Sequence, residues 1–180
     1  MLLERLGLHF EARSPGVDEA LRPGELPVDR SLRLAAEKAR AVAAQIPSAL
    51  VIGSDQVASI ETHGLVEILR KPGTRERCIE QLARMSGRTA CFHTAVALAY
   101  GGECTLRHAD LTQVRFRDLT EQEIADYVDR EPSFDCAGGF KCEGLGVTLF
   151  ESVVTDDPTA LVGLPLIGLC RLLREAGVRV

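Results

Sequence analysis

The chain has 180 residues, 46% apolar and 26% charged, proportions that suit one globular domain or two small lobes with a core of their own. Twenty-one Lys and Arg against 26 Asp and Glu leave a net charge of −5, which argues against a basic sleeve for DNA, RNA or anionic lipid; 4% aromatic residues and no tryptophan argue against strips of stacking rings for single-stranded nucleic acid. The longest apolar stretch, Ala160 to Leu173, is interrupted by Gly163, Pro165, Gly168 and Arg171 and falls short of the roughly 18 residues that a membrane span requires.

In chain order, Leu2, Leu3 and Leu6 share one helical face that Gly7 closes, and the chain begins in the middle of this pattern. Leu8 to Arg13 is expected as a short strand, and Ser14 to Pro27, with its prolines and glycines, as a loop carrying Asp18 and Glu19. Leu32, Ala35, Ala36, Ala39, Val42 and Ala43 recur at helical spacing, so Val28 to Gln45 is expected as an amphipathic helix with Glu37, Lys38 and Arg40 toward its polar side. Ala49 to Gly53 is a continuous apolar run ending in Ser54 and Asp55, the pattern of a buried strand that delivers polar groups at its carboxyl end. Val57 to Leu69 is expected as a hairpin turning at His63-Gly64, followed by a Lys71-Pro72-Gly73 loop and a helix from Thr74 to Met85 ended by Gly87.

Ala90 to Tyr100 and Glu103 to Arg117 are expected as two long strands joined by Gly101-Gly102. Thr120 and Glu123 form a capping-box pattern that opens a helix stopping near Pro132. Asp135 to Gly146 is glycine-rich, Val147 to Val154 is expected as a strand, and Pro165 to Ala176 as a last helix closed by Gly177. Helices alternating with strands make α/β with a mixed sheet the expected class. The six cysteines, at 78, 91, 104, 136, 142 and 170, lack a CxxC pair and zinc-ligand spacing and are expected as reduced thiols in a cytoplasmic protein.

Several side chains could carry chemistry. Asp55, at the mouth of a buried strand, is placed to take a proton from water or to bind a hard cation, though an aspartate here also serves as an ordinary turn residue. Lys71, followed by Pro72, could offer its ammonium to a phosphate or simply face solvent; Lys38, beside Glu37 on its alanine-rich helix, reads by itself as part of an exposed charged face; and the acidic pair Asp18-Glu19 could serve in a metal shell or simply be hydrated. In Ala137 to Gly144 two adjacent glycines allow close backbone approach to a ligand, Phe140 offers a ring face, and Glu143 follows. The phosphate-loop GxxxxGK[ST], the dinucleotide GxGxxG, the nucleophile-elbow GxSxG and the metalloprotease HExxH patterns do not occur, and His9, His63, His93 and His108 form no close metal-ligand pair.

Taken together and in order, SPGVDE (14–19), AAEKA (35–39), IGSDQV (52–57), KP (71–72), SGR (86–88), VRF (114–116), CAGGFKCEG (136–144) and LVGLP (161–165) resemble the Maf family of nucleotide pyrophosphatases over almost the whole chain. Gln56 directly after Asp55, Glu143 in FKCEG, and the segment LFESVVTDDPTALVGLPLIGLCRLLREAG are similar to the branch of that family that hydrolyses 7-methyl-GTP, whereas the dTTP and UTP branch carries Thr and Gln at the first two positions. The resemblance implies an elongated α/β sheet flanked by helices, a nucleotide cleft between two lobes, and an assembly that is often dimeric.

It also implies roles. Asp55 is expected as the proton acceptor and, with Glu19, as a ligand of a divalent cation, Mg or Mn. Lys38 and Lys71 are expected to bind phosphates, and Gln56 and Glu143 to select the base. Separately from the resemblance, methylation at N7 makes guanine cationic, and the Phe140 ring is expected to stack on that base. The alternatives are the same chemistry on UTP, CTP, dTTP or another modified nucleotide, and a nucleotide-binding protein with little catalysis. Members of the family open with a strand and an SxSPxRRxLL loop; this chain starts at the final LL, so a single domain truncated at its amino end is expected.

Overall fold

The computed structural model describes residues 2–180. After a short 3-10 helix at Leu2–Leu6 and an irregular stretch, the elements are α1 (Pro27–Ala43), β1 (Val51–Thr62), β2 (Leu65–Leu69), α2 (Arg75–Met85), β3 (Thr89–Tyr100), β4 (Glu103–Phe116), α3 (Glu121–Arg130), β5 (Phe150–Val154) and α4 (Leu166–Glu175). The strands form one sheet in the order β2-β1-β3-β4-β5. The α/β class holds, and the sheet is antiparallel. Ala58 faces Leu69 and Thr62 faces Leu65 across the β1–β2 pair, with His63 and Gly64 both at positive φ, as a two-residue hairpin turn demands.

Helix starts follow their capping chemistry. Pro27 opens α1, where a missing N–H is harmless. Thr74 accepts from Arg77 at the start of α2, and Thr120 and Glu123 close the reciprocal capping box of α3. At α4 the caps come from farther back: Thr159 Oγ1 accepts from the Leu166 N–H at 2.8 Å and Asp157 Oδ2 from the Ile167 N–H at 2.6 Å.

The chain contacts fall into two compact units. The first comprises the residues up to Gln56, His93–Asp110 and Asp156–Val180. Within it β3 sends alternate side chains to opposite faces. Ala95, Ala97 and Ala99 meet Ala35, Ala36, Ala39 and Ala43 of α1, while Val96 and Leu98 meet Leu166, Leu169, Leu172 and Leu173 of α4. Leu2, Leu3 and Leu6 pack beside the α4 cluster. Each buried leucine there contributes about 1.5–3 kcal/mol, whereas the alanine layer contributes mainly proximity.

The second unit comprises Val57–Phe92 and Leu111–Thr155. Its core holds Cys78, Leu82 and Met85 of α2 and Ile124, Tyr127 and Val128 of α3. A cluster of phenylalanines completes it, with Phe140 edge-to-face against Phe92, Phe116 and Phe150 at centroid distances of 5.4, 5.5 and 5.0 Å.

Three expectations are corrected. Residues 8–13 form no strand: Leu8 leans on the α4 cluster, residues 11–14 are exposed, and among the described residues no neighbouring strand takes up their backbone hydrogen bonds. The strand expected at 49–53 and the first arm of the hairpin are one continuous β1, because nothing between Gly53 and Thr62 breaks the extended chain. The last strand starts at Phe150 rather than Val147, since Leu145–Leu149 turns as a 3-10 helix in which Thr148 Oγ1 donates to the Leu145 carbonyl.

Candidate active site

The site in the first unit is made by how closely α1 lies on β1. At Gly53 an added Cβ would stand 2.3 Å from the Ala35 carbonyl oxygen and 2.7 Å from the Ala39 nitrogen, so only a glycine lets the helix backbone sit there. One turn along α1 from Ala35 lies Lys38, and two residues along β1 from Gly53 lies Asp55. Their side chains meet, with Nζ 2.6 Å from Asp55 Oδ1. The same Nζ lies 2.7 Å from Glu19 Oε1. Side-chain exposure climbs from 9% at Asp55 through 20% at Lys38 to 54% at Glu19, so the trio runs from the interior out to water.

Burial pushes the Asp55 carboxyl above the usual aspartate range, and the Lys38 ammonium beside it offsets this only in part. For Lys38 burial works against the charge, but its hydrogen bonds to Asp55 and Glu19 together prevail and hold the ammonium protonated above the usual lysine value. The result is a carboxylate of raised basicity bound to a permanently charged cation.

Glu19 sits on a loop without regular structure, yet α1 fixes it. The Arg30 guanidinium donates to the Glu19 carbonyl at 2.6 Å and the Ala20 carbonyl at 3.2 Å. Arg33 reaches the Ala20 carbonyl at 3.3 Å and forks onto Glu25 at 2.5 and 2.7 Å, with Glu37 at 3.0 Å. Arg33 thereby depresses the Glu25 carboxyl below its usual range.

The residues flanking Asp55 are tethers. The Ser54 hydroxyl has two acceptors for its one proton, the Ala95 carbonyl at 2.8 Å and the Gly163 carbonyl at 2.9 Å. The Gln56 amide nitrogen donates among Thr94 Oγ1 and the Ala160 and Leu161 carbonyls at 3.0–3.1 Å. Thr94 itself donates to the Ala160 carbonyl at 2.9 Å. These bonds tie β1 to β3 and to the 160–163 segment.

The second unit holds the other expected residues. Lys71 is exposed on the loop between β2 and α2, ahead of a buried Pro72. Gly138 and Gly139 turn at positive φ, where side chains would strike Phe92, Phe140 and Cys78. The stretch that follows is fastened at both ends: the Lys141 N–H donates to the Tyr127 hydroxyl at 3.1 Å and the Gly146 N–H to Glu131 Oε2 at 3.2 Å. Glu143 stands exposed at the tip between them.

Phe140 requires a correction. Its ring is 5% exposed and packed edge-on by three others, so it belongs to the core and has no free face for a base. The structure thus brings Asp55, Lys38 and Glu19 together, and places Gln56 beside them as a tether. The sequence reading missed the Arg30 and Arg33 clamp, although their spacing of three from each other and of four from Arg33 to Glu37 marks one helix face. It also missed Ser54 and Thr94, whose hydroxyls carry no signal until their partners are known.

The sequence matches the profile of the family described as Maf-like protein over residues 1–176. It is 55% identical over 179 residues to a 7-methyl-GTP pyrophosphatase of Xanthomonas axonopodis pv. citri (strain 306), covering 99% of this chain and 92% of the relative. A protein of the same name from Xanthomonas oryzae pv. oryzae (strain MAFF 311018) is 57% identical over 176 residues, 98% of this chain and 90% of the relative. Another, from Aromatoleum aromaticum, is 53% identical over 179 residues, 99% and 90% respectively.

Proposed function

The chain belongs to the Maf-like protein family, and on that premise we propose that it is a nucleoside triphosphate pyrophosphatase that converts 7-methyl-GTP to 7-methyl-GMP and pyrophosphate. The observation that carries the reading is the single ammonium of Lys38 gathering the buried Asp55 and the open Glu19. Hydrolysis at the α-phosphorus needs a base for water, cations for the phosphates, and relief of the charge that grows on the departing pyrophosphate. Asp55 is the base: held by Lys38 and raised in pKa by burial, it takes the proton of the attacking water while the bond from the α-phosphorus to the bridging oxygen breaks. Lys38 spends two of its three N–H groups on Asp55 and Glu19 and keeps the third for a phosphate oxygen. Lys71, exposed and stiffened by Pro72, is the second phosphate ligand.

The trio carries one net negative charge, which by itself repels a triphosphate. Two converging carboxylates suit a hard divalent cation, which binds through one or two carboxylates and shares its remaining positions with water and substrate phosphates. Among the described residues no group of three acidic, histidine or cysteine side chains gathers as a metal site, so the two carboxylates would be the protein's only ligands here. Asp55 and Glu19 would hold Mg or Mn, and the bound cation would neutralise the phosphate charge. Glu143 supplies base choice: methylation at N7 makes guanine cationic, and an exposed carboxylate complements both that charge and the ring N–H donors. Among the described residues no helix is long and apolar enough to cross a membrane, and the six cysteines are free thiols, which suits a cytoplasmic enzyme.

The test is a panel of 7-methyl-GTP, GTP, UTP, CTP and dTTP with Mg or Mn, scored by released pyrophosphate. Preferred turnover of 7-methyl-GTP is expected. Equal turnover of GTP removes the assignment of the base, and binding without pyrophosphate release removes the assignment of the chemistry.

A further inference from the structure

The first unit contains a cavity that the reaction above does not use. It measures about 500 Å³ and is lined by Asp29, Leu32, Arg33, Ala36 and Arg40 of α1 together with Arg107 of β4. On α1 these residues follow the spacing of one helix side, whereas Lys38 stands two residues from both Ala36 and Arg40 and so points to the other side. The cavity is therefore separate from the Asp55 trio.

Its charges are unusual for a chain of net charge −5. Arg33 is already taken by Glu25 and Glu37. Arg40 and Arg107 are exposed and, among the described residues, neither has an ion-pair partner or a side-chain hydrogen bond. Asp29 is the one carboxylate on the rim, so cation remains in excess. Two guanidinium groups lining one cavity without an ion-pair partner offer N–H forks suited to phosphate oxygens. Leu32 and Ala36 give the cavity an apolar wall, and its volume lies in the range of small-molecule sites.

We propose that this cavity binds a diphosphate or triphosphate anion at a second site, held between Arg40 and Arg107. Two sources share that chemistry: free pyrophosphate, and the phosphate tail of a nucleotide. The site does not depend on the catalytic reading, since it shares no residue with Asp55, Lys38 or Glu19.

The experiment is calorimetric titration of the full chain with sodium pyrophosphate, comparing wild type, R40A/R107A and K38A. Wild type is expected to bind one equivalent at this site, besides any held at the Asp55 trio. Loss of the forks in R40A/R107A is expected to weaken that equivalent by about tenfold or more, and K38A is expected to keep it. A wild type that binds no pyrophosphate, an R40A/R107A titration that matches wild type, or a K38A protein that loses the equivalent sensitive to R40A/R107A would overturn the proposal, whereas a single wild-type equivalent that R40A/R107A loses and K38A keeps supports it and counts only against phosphate binding at the trio. Repeating the series with GTP separates the sources. Tighter binding of GTP than of pyrophosphate at the site lost in R40A/R107A assigns it to nucleotides, and equal or weaker binding assigns it to the released product.

Discussion

Gly53→Ala tests whether the closeness of α1 to β1 is what assembles the Lys38–Asp55 pair proposed as catalytic. The new methyl would lie 2.3 Å from the Ala35 carbonyl oxygen, and reaching even the 3.0 Å floor of real Cβ contacts requires the helix to retreat by about 0.7 Å. The blocking atoms are backbone atoms of α1, so no rotamer change relieves the clash. Overpacking of this kind costs about 1–3 kcal/mol, which for a chain of this size lowers Tm by about 2–12 °C. The retreat also pulls Lys38 from Asp55, whose present contact is 2.6 Å. Misplacement approaching 1 Å at a reacting group lowers rate by about 10- to 100-fold, a barrier increase of about 1.4–2.7 kcal/mol. Adding Ala39→Gly removes the 2.9 Å contact with the Ala39 methyl but leaves both backbone contacts, so it is not expected to rescue. The assay is differential scanning calorimetry with kcat for pyrophosphate release, measured well below the variant's Tm. A Gly53→Ala protein with wild-type Tm and kcat, or one restored by Ala39→Gly, would refute the reasoning.

Asp55→Asn keeps the shape and removes the base, so kcat on 7-methyl-GTP is expected to fall by about 10²–10⁴-fold with pyrophosphate release as the readout, and full activity would show the base is elsewhere. In the metal-free protein burial raises the Asp55 pKa, so its carboxyl, followed by NMR, is expected to be ionised at high pH and to take up its proton as pH falls through a midpoint above the ordinary aspartate value of 3.8. A midpoint at or below that value counts against a buried base of raised basicity. Phe140→Ala opens a void among three rings and is expected to cost about 3–5 kcal/mol by denaturant unfolding, with the preference for 7-methyl-GTP over GTP unchanged; a changed preference would return the ring to the binding site. Glu143→Gln is exposed and should leave stability within about 0.5 kcal/mol, while that preference falls by about tenfold or more through loss of a charged acceptor; an unaltered ratio excludes Glu143 from base choice.

Most of the fold could be read from periodicity and punctuation. The alanines of α1, the hairpin at His63-Gly64, the capping box at Thr120 and Glu123, and the glycine pair between β3 and β4 each announce themselves locally. Residues 8–13 misled because a short segment of this length carries no sign of whether a neighbouring strand will take up its backbone hydrogen bonds. In the site, Asp55, Lys38 and Glu19 stood out through motif order, but their convergence on one ammonium is a tertiary fact. The IGSD motif gave no sign that Gly53 is needed for helix approach rather than for a turn. Phe140 was misread for a related reason: a phenylalanine beside two glycines looks the same in sequence whether its ring faces a ligand or three other rings.

The two faces of β3 set unequal rules for change. On the α4 side, leucines meet valine and leucine, and exchanges among Leu, Ile and Met can be absorbed by repacking. On the α1 side methyl groups meet methyl groups, with a bare backbone at Gly53, and every substitution there is an enlargement or a deletion. Random mutagenesis selected for activity should therefore recover a varied α4 face and an almost invariant α1 face. Lineages of this enzyme can drift on one side of the strand and are held in place on the other.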